Sequence, residues 1–227
     1  MVSAQRGRVG SLMGESMATA WAAAAGSRTE SPHEDRSLPS PGRSSDAPSG
    51  PARPTLVFDL ESAREVDFSA PWAAGVSVAV VYDACRHEFE IYRGEERRLA
   101  VLADRLNSAE RVVGFNTERF DFRVLAGMGF PVAPQRSVDL RRLVETAVDD
   151  RFAKGNLDDL ARLNLNAGKR GRGCDAPRLH QAGEWDRLTE YCMRDVVLTY
   201  RLWRHCRAGR PLRLPRGRVV TLPRERL

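Results

Sequence analysis

Apolar residues recur at regular intervals between residues 54 and 206 of the chain. Alternating or continuous apolar runs in this part predict four β-strands, and apolar stripes at three- to four-residue spacing predict helices. The predicted strands are Thr55–Glu61, Val76–Tyr82, Glu88–Tyr92 and Arg111–Phe115, and the predicted helices are Glu95–Ser108, one that begins near Thr117, Val138–Val148, Leu157–Leu163 and Glu184–Cys206. Three early strands followed by a helix, a strand and further helices indicate an α/β domain.

The two ends of the chain differ from this middle part. Residues 1–53 are dominated by Ser, Pro, Gly, Ala and Arg without a sustained period, which predicts a disordered tail. Residues 207–227 carry seven arginines and one acidic residue, and they therefore supply the whole net charge of +6. This composition predicts a basic tail that either grips phosphates or is simply a solvated end.

Composition narrows the class of protein further. Hydrophobic residues make up 42% and charged residues 29% of the 227 residues, as in soluble globular proteins. No apolar stretch approaches the roughly 18 residues of a membrane-spanning helix, so we expect no contact with a membrane. The four cysteines have neither a CxxC spacing nor a matching histidine pair, which argues against a disulfide scaffold and a zinc finger. We therefore expect a protein of the reducing cytoplasm.

Two acidic residues interrupt the first predicted strand. Asp59 and Glu61 are two positions apart, so their side chains point to the same face of the strand. Phe58 and Leu60 point to the opposite face, where they can pack in the core. Two adjacent carboxylates repel each other and therefore require a positive partner.

Two further carboxylates lie on the apolar faces of predicted helices. Asp121 shares its face with Leu125, and Asp195 lies on a stripe with Cys192. Tyr191 precedes Asp195 by one helical turn, so its phenol lies on the same side of the helix. Four carboxylates from three segments are thus expected to face inward.

Burying one unpaired carboxylate costs several kcal/mol, so burying four together requires cations. No arginine shares these faces at the required spacing, and oxygen ligands suit Mg²⁺ or Mn²⁺. Two such ions would activate a water and stabilise the leaving oxygen in phosphoryl transfer. A buried salt-bridge network with one stray acid is the alternative interpretation. Three other acids, Asp139, Asp158 and Asp159, lie near predicted helix starts, where the helix dipole explains them.

The order and spacing of these residues resemble the DEDD family of 3′–5′ exonucleases. Asp59-Leu-Glu61 resembles the first motif of that family, Gly114-Phe-Asn-Thr-Glu-Arg-Phe-Asp121 the second and Tyr191-Cys-Met-Arg-Asp195 the third. Glu190 stands where the histidine branch carries its histidine, whereas Tyr191 fits the tyrosine (DEDDy) branch. The chain is similar to the stand-alone bacterial exonucleases of the YprB type, which are related to the proofreading domain of B-family DNA polymerases.

The resemblance implies a ribonuclease-H-like fold, an α/β fold with a mixed five-stranded sheet flanked by helices. It implies that four carboxylates bind two Mg²⁺ or Mn²⁺ ions, namely those of Asp59, Glu61, Asp121 and Asp195. Tyr191 would orient the attacking water, because a tyrosine pKa of about 10 disfavours full deprotonation at neutral pH. The implied reaction is hydrolysis of the terminal phosphodiester bond at the 3′ end of single-stranded nucleic acid, which releases 5′-mononucleotides.

Five other residues are candidates for substrate contact, each with a simpler alternative. Asn116 would contact the terminal nucleotide or cap the next helix. Phe120 and Leu60 would pack against a base or in the core. Lys169 and Arg170 belong to a basic loop with several glycines, which would contact the nucleic-acid backbone or be a mobile surface loop.

Three other functions fit the same residues. A catalytically inactive relative would bind nucleic acid without cutting it, and an endonuclease of the same fold would cut without needing an end. An α/β scaffold would use the acids for a structural ion. The presence of all four acids and the tyrosine favours the active exonuclease. The resemblance suggests a separate helicase or polymerase as a partner, and the sequence leaves both DNA and RNA open as substrates.

Overall fold

The computed structural model describes residues 5–8, 53–148, 154–168 and 175–227 of the chain. Its sheet contains six strands, which are β1 (Gln5–Arg8), β2 (Thr55–Ser62), β3 (Val76–Asp83), β4 (Glu88–Arg93), β5 (Arg111–Gly114) and β6 (Ser137–Asp139). They lie in the order β1-β4-β3-β2-β5-β6. β2 pairs antiparallel with β3 and parallel with β5, and β5 pairs parallel with β6. Strands β2 to β6 form the expected mixed five-stranded sheet, which β1 extends along β4.

Side chains along β2 alternate between two apolar clusters on opposite faces of the sheet. Phe58 and Leu60 are buried in one cluster, and Val57 is buried in the other. Because successive strand residues point to opposite faces, Asp59 and Glu61 share the face of Val57. The central strand of the sheet therefore directs two carboxylates toward one layer of helices.

Six α-helices cover the sheet in the described part of the chain. They are α1 (Glu96–Asn107), α2 (Asp121–Gly127), α3 (Leu140–Ala147), α4 (Leu157–Leu165), α5 (Asp175–Gln181) and α6 (Trp185–Arg207). Buried residues of α1 and α2 join the cluster of Phe58, whereas those of α3 to α6 join the cluster of Val57. Helix α6 packs across β2 and β3, which brings it over Asp59 and Glu61.

The start of α4 follows from a reciprocal pair of hydrogen bonds. The side chain of Asn156 accepts the backbone N–H of Asp159 at 3.0 Å, and the carboxylate of Asp159 accepts the N–H of Asn156 at 3.0 Å. This capping box satisfies backbone donors that the first helical turn cannot pair. Asn156 is therefore the N-cap of α4.

The last strand of the sheet corrects the prediction of a helix over Val138–Val148. Ser137–Asp139 forms β6, and α3 begins only at Leu140. Val138 pairs with Val113 of β5 and is buried. Because this three-residue strand runs directly into a helix, the spacing of apolar residues alone does not separate the two elements.

Helix α2 begins at Asp121, four residues later than the helix expected near Thr117. Residues 117–120 form turns, and Asn116 before them has a left-handed φ of 70°. The N–H groups of Arg119 and Phe120 donate to the carbonyl of Asn116 at 3.2 and 3.1 Å, so the chain closes a hydrogen-bonded turn before the helix. Helix α5 was not predicted.

The basic segment 207–227 packs against the domain and is not a separate tail. It forms two short paired strands, β7 (Leu212–Arg213) and β8 (Val219–Val220). Four of its leucines are buried, namely Leu212, Leu214, Leu222 and Leu227. The indole N–H of Trp203 in α6 donates to the carbonyl of Leu227 at 3.1 Å. Leucines at irregular spacing among the arginines anchor this segment.

Other predictions fall outside the described residues. Of the predicted disordered tail, residues 1–53, the structure describes β1 and Arg53. Lys169 and Arg170 also lie outside the described residues. In the ranges that are described, no helix has the length and apolar character needed to cross a membrane.

The buried leucines predict a stability test of the C-terminal segment. We expect Leu214→Ala to lower the free energy of unfolding by about 2–5 kcal/mol, because it removes a buried side chain and leaves a cavity. Val219→Ala is the control, since Val219 is 61% exposed. Urea denaturation of both variants measures the effect, and equal stabilities would show that the segment is not part of the core.

Candidate active site

Asp59 and Glu61 define one edge of the candidate site. Glu61 is buried and Asp59 is partly exposed. One oxygen from each carboxylate and the Sγ of Cys192 lie within 4.8 Å of one another. The ladder between β2 and β3 shifts its register between Glu61 and Ser62, so regular pairing ends directly after the two acids.

Asp121 reaches the same strand from the first turn of α2. Pairing between β2 and β5 ends at Val57, and beyond it the N–H of Leu60 donates to Asp121 Oδ1 at 3.0 Å. Asp121 is 2% exposed, so this backbone donor holds a carboxylate that water hardly reaches. The bond places Asp121 beside Asp59 and Glu61.

Burial controls the ionisation of Asp121. The pKa of this carboxyl rises from 3.8 to about 7, mainly because it is buried. The backbone N–H groups of Asp121 and Leu60 oppose the rise, and the nearby charge of Asp139 adds to it. Without a cation, Asp121 therefore holds a proton over part of the physiological pH range. A divalent ion would remove this cost of ionisation.

Helix α6 contributes Tyr191 and Asp195, both buried and one turn apart. Burial raises the pKa of the Tyr191 phenol well above its ordinary value, and the charges of Asp195, Glu61 and Asp59 add to the rise. These three carboxylates therefore lie within electrostatic reach of the phenol, which remains neutral at physiological pH.

Cys192 is the buried centre around which the acids gather. Its Sγ lies 3.4 Å from the main-chain oxygen of Asp59 and 3.7 Å from Oδ2 of the same residue. Burial raises the pKa of the thiol, and four carboxylates raise it further, namely those of Asp59, Glu61, Asp195 and Asp121. The four predicted acids from β2, α2 and α6 are thus brought together. The sequence analysis placed Cys192 on the buried stripe of α6 but assigned it no role.

Asp139 is a residue whose role at the site the sequence analysis missed. Its carboxylate accepts the N–H of Asn116 at 2.8 Å and of Glu118 at 3.1 Å. It also caps α3 by accepting the N–H of Arg141 at 3.0 Å and of Arg142 at 3.3 Å. The expected helix-start role is therefore correct but incomplete, because Asp139 also holds the loop that leads to Asp121.

Close packing fixes the same loop from the other side. A Cβ on Gly114 would lie 2.1 Å from Cγ2 of Thr117, so only glycine fits there. Thr117 is itself 1% exposed. The turn between β5 and α2 thus has little freedom, and it carries Asp121 to a fixed position.

The proposed substrate contacts differ in where they lie. Leu60 is 3% exposed in the apolar cluster opposite Asp59, which favours its packing role. Phe120 is partly buried against the same cluster, at the start of α2. Asn116 is partly exposed in the loop before it.

This arrangement is suited to divalent ions. Carboxylate oxygens from three segments converge in a buried space, and hard ions such as Mg²⁺ and Mn²⁺ prefer such oxygens. The mixed sheet carries two acids on its central strand. A third acid lies on the helix after β5, and a fourth lies on the last long helix. These features together define the fold class. The chain has an α/β ribonuclease-H-like fold.

Comparisons with known proteins agree with this class. A family model described as "Predicted 3′–5′ exonuclease related to the exonuclease domain of PolB" matches residues 130–211. The matched stretch includes Tyr191 and Asp195, and it begins after the other three acids. The match agrees with the expected resemblance to an exonuclease related to the B-family polymerases, and it supports a nuclease function in general. The motif residues and the tyrosine branch stay predictions.

A solved structure shows the same fold. The family B DNA polymerase from the hyperthermophilic archaeon Pyrobaculum calidifontis aligns with a TM-score of 0.53 and 18% sequence identity over 70% of this chain. The alignment covers 25% of the polymerase chain, so this protein spans about a quarter of the polymerase. A search of curated protein sequences finds no match.

The ionisation of Asp121 predicts a pH-dependent stability difference in EDTA. The pKa of the Asp121 carboxyl is 3.8 in the unfolded chain and about 7 in the folded protein. The wild type therefore loses stability as the pH rises between these two values. Asp121→Asn avoids this loss and keeps an oxygen for the Leu60 N–H. We expect its melting temperature relative to wild type to be several degrees higher at pH 8 than at pH 4. Calorimetry measures the melting temperatures, and Asp104→Asn, which changes an exposed acid, is the control. If the difference in melting temperature between variant and wild type is equal at both pH values, the expectation is contradicted.

The hydrogen bonds of Asp139 predict an effect on metal binding. We expect Asp139→Asn to weaken Mn²⁺ binding about tenfold, because an amide cannot accept both loop N–H groups and Asp121 loses its fixed position. Titration calorimetry with Mn²⁺ measures the affinity. Asn156→Ala, which removes the N-cap of α4, is the matched control for lost stability. Equal Mn²⁺ affinities of wild type and Asp139→Asn would exclude a positioning role.

Proposed function

We propose that this protein is a metal-dependent 3′–5′ exonuclease that shortens single-stranded nucleic acid from its 3′ end. The observation that supports this most is the convergence of four carboxylates from β2, α2 and α6 around Cys192, beside the phenol of Tyr191. The fold and the family match support the same class of enzyme.

The four carboxylates are the proposed ligands of two Mg²⁺ or Mn²⁺ ions, and they belong to Asp59, Glu61, Asp121 and Asp195. The proximity of Asp59 and Glu61, with ligand atoms within 4.8 Å, supports a shared ion between them. When bound, the ions would make a water nucleophilic near neutral pH and stabilise the leaving oxygen. The backbone N–H of Leu60 keeps Asp121 oriented toward this centre.

Tyr191 is the proposed residue that orients the attacking water. A neutral phenol donates one hydrogen bond and accepts others, so it can hold a water in one direction. Its location one turn before Asp195 supports this role, because a water bound near that carboxylate would be within reach of the phenol. The ions that the carboxylates would hold would stabilise the negative charge that develops in the reaction, and Tyr191 supplies geometry.

The proposed substrate is a strand of DNA or RNA with a free 3′ end. Asn116 and Phe120, at the start of α2, are proposed contacts of the terminal nucleotide, and Lys169 and Arg170 are proposed contacts of the backbone. A separate helicase or polymerase is a proposed partner.

The thiols of Cys85, Cys192 and Cys206 are free, which supports the reducing cytoplasm as the compartment.

The test is the shortening of 5′-labelled single-stranded DNA and RNA with Mg²⁺, Mn²⁺ or EDTA. We expect a ladder of 3′-shortened products that requires metal. Asp195→Asn should lower the rate by roughly 10²–10⁴, since metal stabilisation is worth several kcal/mol. Tyr191→Phe should lower kcat by about ten- to a hundredfold through loss of water orientation.

Matched variants on the same helix control for damage to the fold. Asp186→Asn changes an exposed acid, and Tyr200→Phe changes a tyrosine that is 7% exposed, as Tyr191 is. Both should retain wild-type rates. A circular single strand separates the alternatives, because an endonuclease cuts it and an exonuclease does not. Binding without any shortening under either metal would overturn the proposal in favour of an inactive binding module.

A further inference from the structure

A groove of about 260 Å³ opens beside Tyr191, between α5 and α6. Three arginines line it, Arg178 from α5 and Arg187 and Arg194 from α6. The groove adjoins the carboxylate centre through Tyr191, and none of the four proposed metal ligands lines it. Its chemistry is therefore separate from that of the four acids.

The two α6 arginines flank Tyr191 on one face of the helix. Arg187 precedes Tyr191 by four residues and Arg194 follows it by three, and both spacings place side chains on a common face. At about 1.5 Å of rise per residue, each lies about one turn from Tyr191 along the helix axis. A phosphate group near the phenol is thus within reach of long arginine side chains on either side.

Each arginine is held differently. Arg194 donates from Nε and Nη2 to the carbonyl of Gly168 at 2.9 and 2.5 Å, which fixes its guanidinium. Arg187 pairs with Glu184, but the two side chains are 65% and 31% exposed. Exposed ion pairs of this kind are weak, so a phosphate can replace Glu184 as the partner of Arg187 at low cost. Arg178 is exposed on the opposite wall.

The groove also contains two acids, Asp175 and Glu190. Its net charge is therefore small, and it is not a uniformly basic surface. Guanidinium groups recognise phosphate through paired N–H donors, which works at single positions without a large positive field. This composition fits contacts to individual phosphates of a strand.

We propose that this groove binds backbone phosphates of the substrate strand next to the scissile bond, through Arg178 and Arg187. The inference rests on the proposed function, since it concerns the same strand. It also answers an electrostatic need: a polyanion must approach a centre that is itself rich in carboxylates. The guanidinium of Arg187, one turn from Tyr191, and that of Arg178 on the facing wall would attract the strand at the place where its terminal phosphate must lie.

The test measures binding apart from cleavage. A 5′-fluorescein single-stranded oligonucleotide is titrated with protein in Ca²⁺ buffer, and anisotropy gives Kd over a range of salt concentrations. We expect the double variant Arg178→Ala/Arg187→Ala to weaken binding about tenfold at low salt. The slope of log K against log salt should fall by about 1.4, because each contact to a single-strand phosphate contributes about 0.7.

Arg97→Ala is the matched control, because Arg97 is exposed on α1, across the sheet from α6. Wild-type affinity of the double variant, or an equal loss in Arg97→Ala, would overturn the proposal. In the cleavage assay, the double variant should raise KM more than it lowers kcat, in contrast to Tyr191→Phe. If the wild type never shortens a strand but still binds through Arg178 and Arg187, the proposed exonuclease function fails while the phosphate groove stands.

Discussion

The proximity of like charges is the constraint on which this fold depends. Four carboxylates each raise the pKa of one buried thiol, that of Cys192, so all four lie within electrostatic reach of one atom. The backbone offsets part of this repulsion, since Leu60 donates an N–H to Asp121 and four N–H groups converge on Asp139. Polar donors, not apolar side chains, support the acids that are buried most deeply. Strand ends and helix starts meet at the site because those are the places where such donors are available.

The parts of the site that the sequence predicted are those set by local periods. A two-residue period placed Asp59 and Glu61 on one face of β2, and a helical period placed Tyr191 and Asp195 on the buried side of α6. The sheet and its long helices followed from the same patterns. Asp139 could not be recognised in this way, because its partners Asn116 and Glu118 lie 23 and 21 positions away. Their contact depends on the pairing of β5 with β6, which no local period reveals.

The C-terminal segment shows a second limit of sequence patterns. Its charge suggested a solvated tail, yet Leu214 and Leu222 are buried. Irregular spacing hides these residues, since neither a strand nor a helix period connects them. They pack because the folded domain offers them an apolar surface, with α4 beside β7, and that surface is known only once the fold is known. The composition therefore reflects the many arginines of the segment and does not reveal the buried leucines that hold it in place.

The contact between β2 and α6 joins elements from opposite ends of the described domain. The Sγ of Cys192 lies 3.4 Å from the main-chain oxygen of Asp59, 133 positions earlier in the chain. Synthesis proceeds from the N-terminus, so the strands emerge long before this helix does. A nascent chain thus carries only part of the acidic centre for most of its synthesis. The full set of carboxylates forms when α6 docks, so the proposed metal centre depends on the completion of folding.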